Sequence, residues 1–196
     1  MDNNSPVIET KNYRKAKMPE KKKKRLLFLA SMLLLAAVIA TIAAIFVLPL
    51  INTPFEYSIS SQGCTITGLK KDTGGEVVVP ERISVFKVNA IYSKAFYDCR
   101  VTDVTVCEGV TTIMNNAFYY CGSLTNITLP DTVTFIGENA FANCDRLETI
   151  TCSGFTIYEW NAVTKVKGWN YASKATVVCT DGIILPDGTE IYNRGE

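Results

Sequence analysis

A five-residue signature, a small residue followed by Phe, two variable positions and Cys, occurs three times in this chain. The copies are Ala95–Cys99 (AFYDC), Ala117–Cys121 (AFYYC) and Ala140–Cys144 (AFANC), spaced by 22 and 23 residues. Apolar positions upstream keep the same register. Val101, Val104, Val106, Val110 and Ile113 correspond to Leu124, Ile127, Leu129, Val133 and Ile136. A further partial unit starts at Leu147, Ile150 and Cys152, and an earlier one holds EVVVP (Glu76 to Pro80). Self-similarity at this period is the mark of a stacked repeat array. One unit of about 23 residues buries too few apolar side chains to offset the entropy of ordering it. Units that share their apolar faces and pair their strands can, so neighbours and end caps are required.

Each unit reads as a short alternating strand, whose side chains point alternately to opposite faces. The last full copy runs ITL, then a turn at Pro130 and Asp131, then a second extended piece from Val133 to Ile136. A brief helical turn is expected around Glu138 to Asn143, with Asp131 and Glu138 at turn and helix-start positions, where acids act as caps.

The rest of the chain is charged asymmetrically. Residues 1–25 carry nine Lys or Arg against three acids, and residues 52–196 carry eleven against sixteen. Between them Leu26 to Leu48 has no charged residue, 23 positions in all. As a helix this run is roughly 34 Å long, enough for a bilayer core of about 30 Å. Lys21, Lys22, Lys23, Lys24 and Arg25 abut it, which predicts the N-terminal tail inside and the repeats outside. The basic stretch can also bind anionic lipid, though topology alone accounts for it. A cleaved signal peptide is the competing reading, but its apolar region is usually shorter. The first ten residues, polar with one Pro, are expected to be disordered.

The resulting organisation is a basic cytoplasmic tail over 1–25 and a membrane helix over 26–50. A linker and N-terminal cap follow over 51–75, then repeats over 76–154 and a C-terminal cap over 155–196. Inside that cap, Trp160, Trp169 and Tyr171 are expected to cover the last coil. The alternating residues flanking Asp181–Gly182 predict a terminal hairpin.

The pattern L-x-x-I-x-L-P-x-x-V-x-x-I-x-x-x-A-F-x-x-C resembles the BspA-like leucine-rich repeats, and Asn126 to Cys144 follows it closely. The first copy departs from it, with Cys107 where Pro is usual. Gly63 to Ile83 is similar to the opening segment of such arrays, and Glu159 to Gly188 to their closing segment. The resemblance covers about residues 56–190. It implies a short right-handed α/β solenoid of about four coils, and adhesion or ligand binding at a cell surface.

Several residue groups compete as sites. Cys99, Cys121 and Cys144 lack any histidine to act as a base, since the chain has none. Repetition of a thiol in three coils suits a packed ladder better than one reactive centre. Stacked strands about 4.8 Å apart bring adjacent cysteines within reach of a bridge, although parallel side-chain vectors oppose it; buried thiols are the expected state. Phe96, Phe118 and Phe141 belong to the same core. A nucleic-acid stacking platform needs exposed rings in a basic groove, and this region is acidic. Seven cysteines without a CxxC pair, and no histidine, give no zinc pattern, and no metal or cofactor is predicted.

If Ile127 and Leu129 point inward, Asn126 and Thr128 point out, as do Asp103 with Thr105 and Thr149 with Thr151. These six form the candidate ligand-binding strand face; Thr also simply suits an exposed strand. Asn126 to Thr128 is in addition a glycosylation sequon, relevant only in a eukaryotic secretory pathway. The predicted function is a non-enzymatic, membrane-anchored surface module for an extracellular protein or glycan ligand. The alternative is a structural or regulatory membrane component whose ectodomain docks to another envelope protein.

Overall fold

The computed structural model describes residues 19–47, 53–70 and 73–193. The tail expected to be disordered lies outside the described residues. The chain divides into two compact units, Met1–Ala44 and Ile45–Glu196.

The first unit contains helix α1, Glu20–Ile42; a π-helical turn, Ala43–Val47, follows it and runs past the boundary at Ala44. The helix begins before the apolar run, so Lys21 to Arg25 lie in its first turns. Backbone amides of Lys22 and Lys23 donate to the Pro19 carbonyl there. Pro can open a helix because its missing N–H is not needed at that end. From Leu26 onward the helix is apolar on every side, and none of its residues is buried; Leu33 is 72% exposed. The hydroxyls of Ser31 and Thr41 donate back to the carbonyls of Phe28 and Val38. Internal satisfaction of this kind is what a hydrocarbon environment demands of polar groups. Helix α1 is long and apolar enough to cross a membrane.

The second unit is a β-solenoid. Its strands are β1 Phe55–Ser60, β2 Gly63–Leu69, β3 Gly74–Val79, β4 Arg82–Ile83, β5 Phe86–Ile91, β6 Arg100–Val106 and β7 Thr112–Ile113. They continue as β8 Asn126–Pro130, β9 Phe135–Ile136, β10 Thr149–Ser153, β11 Thr164–Lys165, β12 Thr176–Cys179, β13 Gly182–Ile184 and β14 Glu190–Tyr192. A short helix α2, Ile157–Ala162, precedes β11. Two sheets result. One runs β3-β6-β8-β10-β12 in parallel and is closed by the antiparallel strands β13 and β14. The other runs β2-β5-β7-β9-β11 in parallel and is opened by antiparallel β1. The chain thus makes about five turns, where the sequence suggests four.

The expected helical turn at Glu138–Asn143 is not helical. Asn139 and Asn143 have φ of 53° and 56°, and their counterparts Asn116 and Tyr120 have 58° and 60°. Left-handed residues break the i to i−4 pattern. The amides turn to the next coil instead: Phe96 N–H donates to Ala117 O, Phe118 N–H to Ala140 O and Phe141 N–H to Trp169 O, at 2.7–2.8 Å. The corner is therefore a third hydrogen-bonded ladder. Asn tolerates the left-handed region better than most residues, which explains Asn116, Asn139 and Asn143. Among the described residues of the repeats and caps, helix is confined to α2, where Thr156 and Glu159 form a reciprocal capping box.

Inside, like residues stack on like. Phe96 and Phe118 rings are stacked at 4.6 Å, and Phe118 and Phe141 at 5.1 Å. Phe55 meets Phe96 edge-on at one end, and Trp169 meets Phe141 edge-on at the other. Trp160 is buried against Phe155 and Trp169. The tryptophans close the array as expected, but the Tyr171 side chain is 70% exposed, and only its carbonyl caps the corner, accepting from the Asn143 amide. A second column pairs Ile66, Ile91, Ile113 and Ile136 in register, and its fifth member is Lys165. The Lys165 amine turns to the carbonyls of Trp160 and Val163 and lies 4.5 Å from the Trp160 ring centre.

Cys107, which replaces the usual Pro, donates its amide to Val79 O at 3.1 Å, a bond Pro has no N–H to make. The terminal hairpin forms one residue earlier than predicted. Cys179 pairs with Gly182, so the two-residue turn is Thr180–Asp181. A Cβ on Gly182 would meet the Ile191 carbonyl, so the glycine permits β14 to close in.

Replacing the central ring, Phe118→Ala, is expected to cost about 3–5 kcal/mol. Urea unfolding of the full chain in detergent, followed by far-UV circular dichroism, reads that loss directly.

Candidate functional site

The polar face belongs to the sheet β3-β6-β8-β10-β12. Strand alternation buries Val104, Ile127 and Ile150, together with Val106, Leu129 and Cys152. The residues between them face solvent. Parallel pairing aligns Asp103 with Asn126 and Thr149, and Thr105 with Thr128 and Thr151. All six lie in two rows across three adjacent strands. Asn126 is exposed and the other five are half-buried.

The rows differ in chemistry. In the first, Asn126 Nδ2 donates to Asp103 Oδ1 at 2.8 Å and to Thr125 Oγ1 at 3.1 Å. Thr125 Oγ1 lies 2.9 Å from Thr102 O and 3.5 Å from Asp103 Oδ1. The hydrogen bond from Asn126, then that from Thr102, holds the Asp103 carboxyl below the usual carboxylate range. At neutral pH this corner is a fixed anion with its amide partner already committed. The second row is uncharged. Thr105 and Thr128 line a shallow cavity of about 350 Å³ with Glu81, Glu108, Pro130 and Ser153. Hydroxyls beside two carboxylates make a hydrogen-bonding groove. The described residues contain no group of three or more Cys, Asp or Glu side chains placed to hold a metal ion.

The cysteine ladder is less uniform than the repeat suggests. Cys121 and Cys144 are fully buried, and their thiols donate to the carbonyls of Phe96 and Phe118 at 2.8 and 3.0 Å. Cys99 is only half-buried, because it belongs to the first of the three coils and lines a cavity there.

Some features were not read from the sequence. Tyr97, Tyr119 and Tyr120 form an aromatic cluster on the corner, with ring centres 4.6–6.5 Å apart. The signal was the pair of variable positions inside AFYDC and AFYYC, which carry Tyr in two consecutive units. Cys152 and Cys179 come next to each other when β10 and β12 pair, a contact that depends on the register of the closing segment.

The family described as a BspA type leucine rich repeat region matches residues 86–168, in six copies. Among solved structures, the chain is similar to a leucine-rich repeat protein from Bacteroides capillosus ATCC 29799. Identity is 29% and the TM-score 0.50, over 64% of this chain and 93% of that one. The leucine-rich repeat protein of T. pallidum is 23% identical, with a TM-score of 0.43, over 62% of this chain and 65% of that one. A leucine-rich repeat protein from Bacteroides ovatus ATCC 8483 is 20% identical, with a TM-score of 0.47, over 64% and 36%. No curated protein matches the chain.

Removing the amide partner, Asn126→Ala, is expected to move the Asp103 titration up toward the ordinary value of about 3.9. Carboxyl-carbon NMR of the labelled protein across acid pH measures the shift. The sign for stability follows. A depressed folded pKa stabilises above the unfolded value, and that contribution disappears as pH falls through the folded one.

Proposed function

We propose that this protein is a membrane-anchored surface module that binds an extracellular protein or glycan through the outer face of strands β6, β8 and β10. The observation that carries the reading is the in-register double row Asp103–Asn126–Thr149 and Thr105–Thr128–Thr151, beside the groove at Thr105 and Thr128. A rigid lattice of hydroxyl, amide and carboxylate groups at strand spacing is suited to ligands that carry many hydrogen-bonding groups. Rigidity of the scaffold lowers the ordering cost of binding. The surface of a short array is small, so display of many copies on one membrane strengthens binding through avidity.

Helix α1 supplies the anchor in this reading, with Lys21 to Arg25 on the cytoplasmic side. Protease added to intact cells is expected to digest residues beyond Asn52 and spare the tail. Digestion of the tail with protection of the repeats would reverse the orientation, and release of the repeat unit into the medium would replace the anchor by a cleaved signal.

Binding is tested by displaying the full chain on cells and probing arrays of matrix proteins and glycans. Thr128→Lys is expected to lower retention at least tenfold, since a long cation then fills the groove. Thr134→Lys, at an exposed position just before β9, is the matched control and is expected to leave retention unchanged. Equal retention for both variants, or no retention by the wild type, sinks the proposal.

A further inference from the structure

We propose that Cys99 and Cys121 are a reversible dithiol–disulfide pair, with Cys99 the attacking thiol toward a low-molecular-weight disulfide and Cys121 the resolving thiol. This does not depend on the ligand-binding reading.

The geometry separates this pair from the other cysteines. Cys99 Sγ and Cys121 Sγ are 3.0 Å apart, about 1 Å more than a disulfide bond of about 2.05 Å. Both residues end the same corner motif in consecutive coils, so the backbone spacing is that of stacked strands, about 4.8 Å. That falls within the Cα range of about 4.4–6.8 Å seen across disulfides. Side chains that leave parallel strands in parallel usually miss each other. Here the corner residues Asp98 and Tyr120, at φ of 49° and 60°, precede the cysteines, and the two sulfurs meet.

Access differs in the same direction. Cys99 is half-buried and lines a cavity of about 570 Å³ that also presents Lys94, Tyr97, Asp98 and Arg100. Lys94 and Arg100 suit a disulfide that carries carboxylates. Cys121 lies behind it, fully buried. The hydrogen-bonding contact with Cys121, ahead of the opposing effect of burial, holds the Cys99 thiol below its ordinary value, which raises its thiolate fraction. Cys121 is pushed up by its hydrogen bonds to Cys144 and Cys99 and by burial, so it waits as a thiol.

The other candidates lack one of these features. Cys144 is buried, and its thiol donates to Phe118 O. Cys152 and Cys179 also neighbour each other, but both are buried, and burial pushes both thiols up.

The chemistry balances as two exchanges. The Cys99 thiolate attacks RSSR, forming Cys99–S–S–R and expelling RS⁻. The released RS⁻ takes the Cys121 proton, and the resulting Cys121 thiolate attacks Cys99 Sγ, forming Cys99–S–S–Cys121 and expelling the second RS⁻. The dithiol is oxidised and one RSSR is reduced to two RS groups.

The test is to equilibrate the folded full chain, in detergent, with oxidised glutathione at neutral pH. The sample is quenched in acid, remaining thiols are alkylated, and fragments are mapped by mass spectrometry. We expect two of the seven cysteines to resist alkylation, in a linked fragment joining Cys99 to Cys121, with reversal by reduced glutathione. Cys121→Ser is expected to retain glutathione on Cys99, and Cys144→Ser to leave the Cys99–Cys121 link intact. Seven alkylated cysteines after oxidation would overturn the proposal, as would a link between any other pair. The wild-type measurement decides the matter even where a serine variant folds poorly.

Discussion

Coil-to-coil registration is the constraint on which the repeat unit depends. Two sheets and the corner ladder all hydrogen-bond along the same stacking direction, so each coil's backbone is completed by its neighbours. The amide of Phe118 needs the carbonyl of Ala140, and that of Phe96 needs Ala117. Once the register is fixed, identical positions must lie one above another. That places phenylalanine on phenylalanine and isoleucine on isoleucine, with ring planes as close to parallel as 9°. Packing and hydrogen bonding therefore enforce each other, and a slip of one residue would turn the core outward.

The same registration makes the outer face. A single Thr on an exposed strand has no particular meaning. Three in a row, at strand spacing and held by a buried column beneath, form a surface of fixed geometry. The buried valines, isoleucines and leucine of β6, β8 and β10 are what hold Thr105, Thr128 and Thr151 in line. Asp103 gains its low pKa in the same way, from an Asn that lies 23 residues away in sequence and one strand away in space.

The array was legible because its period is written in the sequence three times over. Phe96, Phe118 and Phe141 could be assigned inward from spacing alone, and Thr128 outward from alternation next to Ile127. The corners were not legible. A run such as Glu138 to Asn143 has residues compatible with a helical turn, and only the partner coil makes left-handed Asn139 and Asn143 worthwhile. The coil count was short by one because β12 carries no corner signature. Cys99 looked equivalent to Cys121 in the pattern; its exposure depends on being in the first of the three coils.

Lys165 has a consequence for the length of the array. Four isoleucines precede it in a column that could otherwise continue indefinitely, since every parallel strand offers a template for the next. A further coil, or an identical unit from another molecule, would have to cover an ammonium group that now reaches the carbonyls of Trp160 and Val163. A charge directed inward at the last rung makes β11 a poor surface for growth. The column thus carries its own terminator, and solubility is guarded at β11, an edge that no antiparallel strand closes.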